Sequence, residues 1–293
     1  MRILLPLFFA LAIGGAPSLT AQEPSLGLNV QPPSASQTAT MLGRVRDLDV
    51  HYVRASWWAW TKPADWTWYP RFKAAGIEVL PLVYAGPGTP ATAGARIAAR
   101  YRTLFNAYGH FPYVQLDNEV DGDGPFAVKG GNPYQQGRKW GEQMRIAARL
   151  IHAFDPGAKI VTAGVAWNRE GVRDWVRGVV SVGGFDVLAI HPYGIGCAGE
   201  PLSRYQAVRD QGWKGPIWAT EVGVSQAQAR YIRRDADAFQ AEQMRRCLRE
   251  DPSRLGYQRL YWFQLTPDGE GWGILRRDGT PRPAYTWLRS RGG

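Results

Sequence analysis

Eight short apolar or β-branched segments recur along the chain, separated by helical patterns or turn-rich loops. They are Leu26–Val30, Tyr52–Ser56, Glu78–Tyr84, Tyr113–Asp117, Lys159–Ala163, Phe185–Ile190, Pro216–Thr220 and Arg259–Gln264. Strands that are apolar on both faces and joined by helices imply a parallel sheet covered on both sides. The helical patterns run over Ser36–Leu48, Ala91–Tyr108, Tyr134–Phe154 and Asp174–Val180, and Asp155-Pro156-Gly157 stops the third of these. Eight β/α units in 293 residues fit a closed (β/α)8 barrel, the TIM barrel, better than an open doubly wound sheet. No glycine fingerprint follows a strand to support the open form. The sequence therefore predicts an α/β chain with one barrel domain over residues 22–293.

The first 21 residues read differently. Arg2 precedes an apolar run from Ile3 to Ile13, and small residues lead to Thr20-Ala21. A basic start, a short apolar core and a small residue at the exit describe a secretory signal peptide. The run falls short of the ~20 apolar residues that span a bilayer. The expectation is a secreted or periplasmic protein starting near Gln22, with no stable membrane insertion after cleavage, acting as a monomer. Cys197 and Cys247 are the only cysteines, and export permits a bridge. Their places, in a loop after a strand and near the end of a later helix, fall toward opposite ends of such a barrel, which weighs against one.

Several chemistries lack their sequence signals. The four histidines (His51, His110, His152, His191) show no metal-ligand spacing and no CxxC occurs, so no metal site is expected. There is no P-loop, no dinucleotide fingerprint and no GxSxG, so no cofactor is expected. The net charge of +10 suits an acidic polymer as well as simple solubility. It does not point to nucleic acid, because the aromatic residues cluster in one region rather than along a basic stripe.

In a β/α barrel the chemistry lies where the strands end. There the sequence places Arg54 on strand two, Asn118-Glu119 after strand four, His191-Pro192-Tyr193 after strand six, Glu221 after strand seven and Trp262 on strand eight. Glutamates at strands four and seven sit across the ring from each other and can face one another over a cleft. Glycosidic bond cleavage needs such a pair, one to donate a proton and one to attack or to activate water. Arg54 beside a carboxylate would keep Glu221 ionised, and Asn118 is placed to bond a sugar hydroxyl next to the reacting carbon. Asp186, at the start of strand six, lies at the opposite end and reads as structural.

Thirteen tryptophans are present, five of them at 57, 58, 60, 66 and 68, after strand two. An indole lies flat on the C–H face of a pyranose and leaves the hydroxyls free to bond. Trp58, Trp60, Trp262 and Trp272 are the candidates for sugar contact, with Trp262 expected to floor the cleft. Trp175, Trp213 and Trp287, at helical positions, read as core.

These residues resemble the retaining glycoside hydrolases of clan A. The likeness rests on Asp117-Asn118-Glu119, His191-Pro192-Tyr193, Thr220-Glu221-Val222-Gly223 and Tyr261-Trp262-Phe263, and on Asp155–Val161 at the entry to strand five. It extends from Gly27-Leu28-Asn29 to Trp287 and is greatest toward family 39 and bacterial exopolysaccharide-cleaving relatives, with family 5 cellulases next. The resemblance implies that Glu119 is the acid/base and Glu221 the nucleophile of a double displacement, with carboxyl groups about 5–5.5 Å apart. It implies further that Tyr193 and Arg54 bond the nucleophile while Asn118 and His191 touch substrate. The chain departs from family 39 in leaving no sequence for the β-sandwich that its members often add. The expected activity is hydrolysis of O-glycosidic bonds in a polysaccharide, endo-acting on a β-linked polymer. The alternatives are a transglycosylase on the same scaffold and a non-catalytic carbohydrate-binding barrel, which would need neither glutamate.

Overall fold

A computed structural model describes residues 24–58, 60–122, 125–167, 170–193, 200–231, 235–249 and 256–291. Residues 1–21, read above as a signal peptide, lie outside the described residues. The eight strands are β1 Ser25–Asn29, β2 Tyr52–Trp57, β3 Glu78–Val83, β4 Tyr113–Leu116, β5 Lys159–Val161, β6 Leu188–Ile190, β7 Ile217–Val222 and β8 Arg259–Trp262. They form one sheet in the order β5-β4-β3-β2-β1-β8-β7-β6, all parallel. Parallel bridges Val161↔Val187 and Val165↔Ile190 join the two outer strands and close the ring. The protein is a single (β/α)8 barrel. Each strand lies within a few residues of its expected position.

The helices are α1 Thr38–Asp47, α2 Tyr69–Ala74, α3 Pro90–Tyr108, α4 Pro133–His152, α5 Val172–Val182, α6 Glu200–Asp210, α7 Gln226–Tyr231, α8 Ala236–Arg249 and α9 Pro283–Arg289. The two longest begin alike. Thr89 and Asn132 accept the amides of Thr92 and Gln135, and a proline follows each, satisfying orphan donors with a residue already set for the helix. Among the described residues no helix is long and apolar enough to cross a membrane. Cys247, on α8, is disulfide-bonded, contrary to what the sequence order favoured; the only other cysteine, Cys197, lies outside the described residues.

Two layers share the strands by alternation. Inside the barrel pack Leu80, Val161, Val187, Ala189, Trp218 and Tyr261, with Tyr52 and Tyr113 against them. A Cβ on Gly27 would fall 2.5 Å from the Tyr261 ring, so this glycine on β1 makes room for the large side chain. The guanidinium of Arg259 lies over the rings of Tyr52, Trp218 and Tyr113 at 4.2, 4.3 and 4.7 Å and pairs with Glu78. These groups close the strand-start end of the barrel. Asp186 is there too, accepting the amide of Ile160. The neighbouring strand residues Leu260 and Trp262 instead join the larger cluster made with the helices.

Candidate active site

At the other end of the barrel the polar residues converge. Glu221, near the end of β7, lies with its Oε1 2.7 Å from Arg54 Nη1, and its Oε2 accepts the Tyr193 hydroxyl at 2.6 Å. Arg54 is almost wholly buried and donates also to Asn29 Oδ1 (2.7 Å), Asn118 Oδ1 (2.7 Å) and Gln115 Oε1 (2.5 Å). A buried cation is tolerable only with such full pairing. Burial pushes the Glu221 pKa up, but electrostatic attraction to His191 and Arg54 and the hydrogen bonds from Tyr193 and Arg54 outweigh it and hold the carboxyl below its ordinary value. Glu221 is thus an ionised, shielded carboxylate.

Glu119 arrives from an irregular segment. Asp117 and Glu119 have left-handed backbones, with φ of 63° and 47°. Such angles cost non-glycine residues about 1–3 kcal/mol each, and they gather at functional sites. The turn is held because Asp117 accepts the Ala85 amide at 2.6 Å and the Gln143 amide at 2.7 Å, while the Glu119 amide donates to the Gly164 carbonyl at 3.0 Å. Burial of Asp117 raises its pKa to about 6 despite these bonds.

His191 joins the two acids. Its Nδ1 is 2.8 Å from Glu119 Oε1 and 3.6 Å from Glu221 Oε2, and its Nε2 is 3.1 Å from Thr220 Oγ1. An oxygen of Glu119 and one of Glu221 come within 4.8 Å of each other. The Glu119 side chain is 40% exposed and that of Glu221 only 10%, so one faces water and the other does not. Glu119, His191 and Glu221 have the donor types and spacing of a cation site. The Arg54 guanidinium on Glu221 opposes a second cation there, and hydrogen bonds already occupy both oxygens of Glu221.

Two expected roles are corrected. The His191 ring has no exposed surface, so it touches Glu119 rather than substrate. Trp262 does not floor the cleft: it is fully buried in the cluster between sheet and helices. Strand alternation turns Tyr261 inward and Trp262 outward, and the next residue, Phe263, packs on the site, 6.3 Å from Tyr193 and 5.7 Å from Trp272. Trp272 lies 5.1 Å from Tyr193 and donates its Nε1 hydrogen to Glu270. Tyr193, Phe263 and Trp272 therefore form one aromatic wall beside Glu221.

The tryptophans after β2 divide. Trp57, Trp66 and Trp68 are buried and pack edge-on or tilted among themselves and with Phe72 and Phe111. Trp58 and Trp60 stay exposed. Trp58 lies flat on Tyr84 at 4.0 Å and parallel to Trp60 at 5.4 Å. Much of its face is covered, so Trp60, 74% exposed, presents the larger open indole. Tyr84, whose pKa burial raises to about 12, lies in the field of Arg54 and Glu221.

Asn29, Gln115, Tyr84 and Phe263 join the site without having been singled out in the sequence. Gln115 carried a signal, as the one polar residue within the apolar run of β4, since a polar side chain buried in a strand requires partners. Asn29 ends strand β1 and Tyr84 follows directly on β3, where the barrel rule already pointed.

No protein-family model matches the sequence, and no curated protein matches it. Solved structures do share its fold. A family 39 glycoside hydrolase from Bacteroides cellulosilyticus superposes with a TM-score of 0.65 and 16% identity over 92% of this chain and 63% of its own. A monomeric β-xylosidase from Caulobacter crescentus gives 0.64 and 16%, covering 93% and 69%. A family 128 endo-β-1,3-glucanase from Sorangium cellulosum gives 0.62 and 16%, covering 91% and 98%. The chain thus spans less than two thirds of the first of these and is similar in extent to the last.

Proposed function

We propose that the protein is a retaining glycoside hydrolase, exported from the cell, that cuts within a β-linked polysaccharide. The observation that carries this reading is the approach of Glu119 and Glu221 to within 4.8 Å in unlike surroundings. Inverting enzymes hold their carboxyl groups about 6.5–9.5 Å apart to admit a water, whereas retaining ones need about 5–5.5 Å. The barrel shared with family 39 and family 128 glycoside hydrolases supports the same reaction class.

In the proposed first step a Glu221 oxygen bonds to the anomeric carbon as the bond to the leaving oxygen breaks, and that oxygen takes the Glu119 proton. In the second, Glu119 as carboxylate takes a proton from water, whose oxygen displaces Glu221 and frees the sugar. Arg54 and Tyr193 hold Glu221 ionised and aligned. Glu119, more open to solvent, is placed for the leaving group and then for water. Trp60 and Trp272 supply apolar faces to the chain on either side.

The test is a screen of purified polysaccharides, beginning with β-1,3-glucan and xylan because the structural neighbours include an endo-β-1,3-glucanase and a β-xylosidase. NMR reads the anomer of the first product, and chain length reads the mode of action. Retention with oligomeric products is expected. An inverted first anomer rejects the double displacement, and Glu221→Ala with near-normal turnover rejects Glu221 as nucleophile.

A further inference from the structure

The hydrogen bonds beneath the glutamates take their direction from Arg54. The Arg54 Nε can only donate, so the Gln115 atom 2.5 Å from it is the amide oxygen. The amide nitrogen of Gln115 then donates both its hydrogens, to the Thr162 carbonyl at 3.0 Å and to Thr220 Oγ1 at 3.2 Å. The Thr220 hydroxyl keeps one hydrogen to give. Its remaining partner among the described residues is His191 Nε2 at 3.1 Å, and the hydroxyl is satisfied there only when that nitrogen accepts. That pairing puts the imidazole proton on Nδ1, 2.8 Å from Glu119 Oε1.

We infer that Gln115 and Thr220 are positioning residues: they fix the tautomer of His191 so that its Nδ1–H holds one oxygen of Glu119 and leaves the other to carry the transferable proton. This rests on the glycosidase reading of Glu119. Neither residue reaches substrate, since both are fully buried. The other charged and titratable groups around the pair are Glu221 on β7, Arg54 on β2, Tyr193 after β6 and Asp121 in the loop after β4. Arg204 on α6 bonds the His191 carbonyl. The hydrogen-bond chain starts at a guanidinium, which only donates, and ends at an oxygen of Glu119, which accepts.

The experiment has two readouts. Nitrogen-15 NMR of histidine-labelled protein at neutral pH, assigned with His191→Gln, reports which ring nitrogen carries hydrogen, whether or not a substrate is known. The proton is expected on Nδ1. Nε2–H or a doubly protonated ring in the wild type overturns the inference, even if no variant folds. In Thr220→Val the ring is freed to exchange tautomers, and kcat on a polysaccharide should fall about tenfold while KM is held. Thr220→Ser restores both signals. An unchanged tautomer and kcat in Thr220→Val rejects the positioning role. A wild type that shows Nδ1–H yet cleaves no glycan overturns the glycosidase reading, and the positioning role with it, but leaves the tautomer standing.

Discussion

Gly164 leaves no room for a side chain beside His191: a Cβ there would lie 1.8 Å from His191 Nε2. The same glycine accepts the Glu119 amide through its carbonyl and bridges to Asn118. One backbone position thus admits the imidazole and anchors the acid that the imidazole touches. Gly164→Ala should push the ring off both Thr220 and Glu119 and lower kcat at least tenfold, the scale on which small misplacements of catalytic groups act. Circular dichroism should show the barrel intact. Unchanged turnover in a folded variant would mean that His191 does not set the geometry of Glu119.

Glu119 can be tested through the leaving group. Glu119→Ala should slow a polysaccharide by a factor of ~10²–10⁴, the usual contribution of general acid catalysis. A substrate with a nitrophenolate leaving group needs no proton for its first step. Its burst of released nitrophenol should therefore persist in the variant, with slow turnover after it. Equal losses on both substrates would exclude Glu119 as the proton donor.

The tryptophans separate binding from stability. Trp60→Ala removes an exposed ring and should raise KM for a polymer several-fold, leave kcat nearly unchanged and leave Tm where it was. Trp262→Ala removes a fully buried ring and should cost roughly 3–5 kcal/mol of folding stability. Denaturation and steady-state kinetics on both variants check the contrast; a Trp262 variant of normal stability would restore that residue to the cleft.

The barrel was readable because its strands are apolar on both faces, so each stood out even where its bounds moved by up to three residues. The glutamates were readable because barrel topology alone puts the ends of β4 and β7 across the ring. What failed was side-chain direction. On β8 the inward series is Arg259, Tyr261 and Phe263, and taking Trp262 as the inward residue is a one-residue slip that exchanges the two faces. His191 misled for another reason: its burial depends on Gly164, which belongs to a different strand end and meets it only in the fold.

Asp237 illustrates a stability effect with a definite sign. It pairs with Arg276 at 2.5 Å and Arg282 at 2.7 Å, and accepts Gln226 at 2.5 Å, tying α8 to the segment beyond Trp272. Although burial acts against it, hydrogen bonds and charge from Arg282 and Arg276 hold its carboxyl below the ordinary range. A depressed acid stabilises the fold above its unfolded pKa, near ~3.9, and that contribution is lost as pH falls through the folded value. Asp237→Asn should therefore cost about 1 kcal/mol at pH 7, a modest figure for partly exposed pairs. The difference should shrink as pH falls and vanish once the lowered folded value is passed. Urea unfolding along a pH series decides it; a gap that persists throughout the acid range would assign the effect to packing.

The acid limb of the activity profile should belong to Glu221. The proposed double displacement requires its carboxylate, and the folded protein holds its pKa below the ordinary 4.5 against the upward push of burial. Activity should accordingly persist on acidification until that lowered value is crossed. Tyr193→Phe removes the hydroxyl on Oε2 but keeps the ring that packs on Phe263 and Trp272. Losing a hydrogen bond to a charged group weakens the ionised form, so the acid limb should rise by about one pH unit. The alkaline limb should stay in place. A kcat/KM profile of wild type and variant separates the possibilities. If the acid limb does not move, the Tyr193 hydroxyl does not stabilise the attacking carboxylate; if the alkaline limb moves instead, the two glutamates have their roles exchanged.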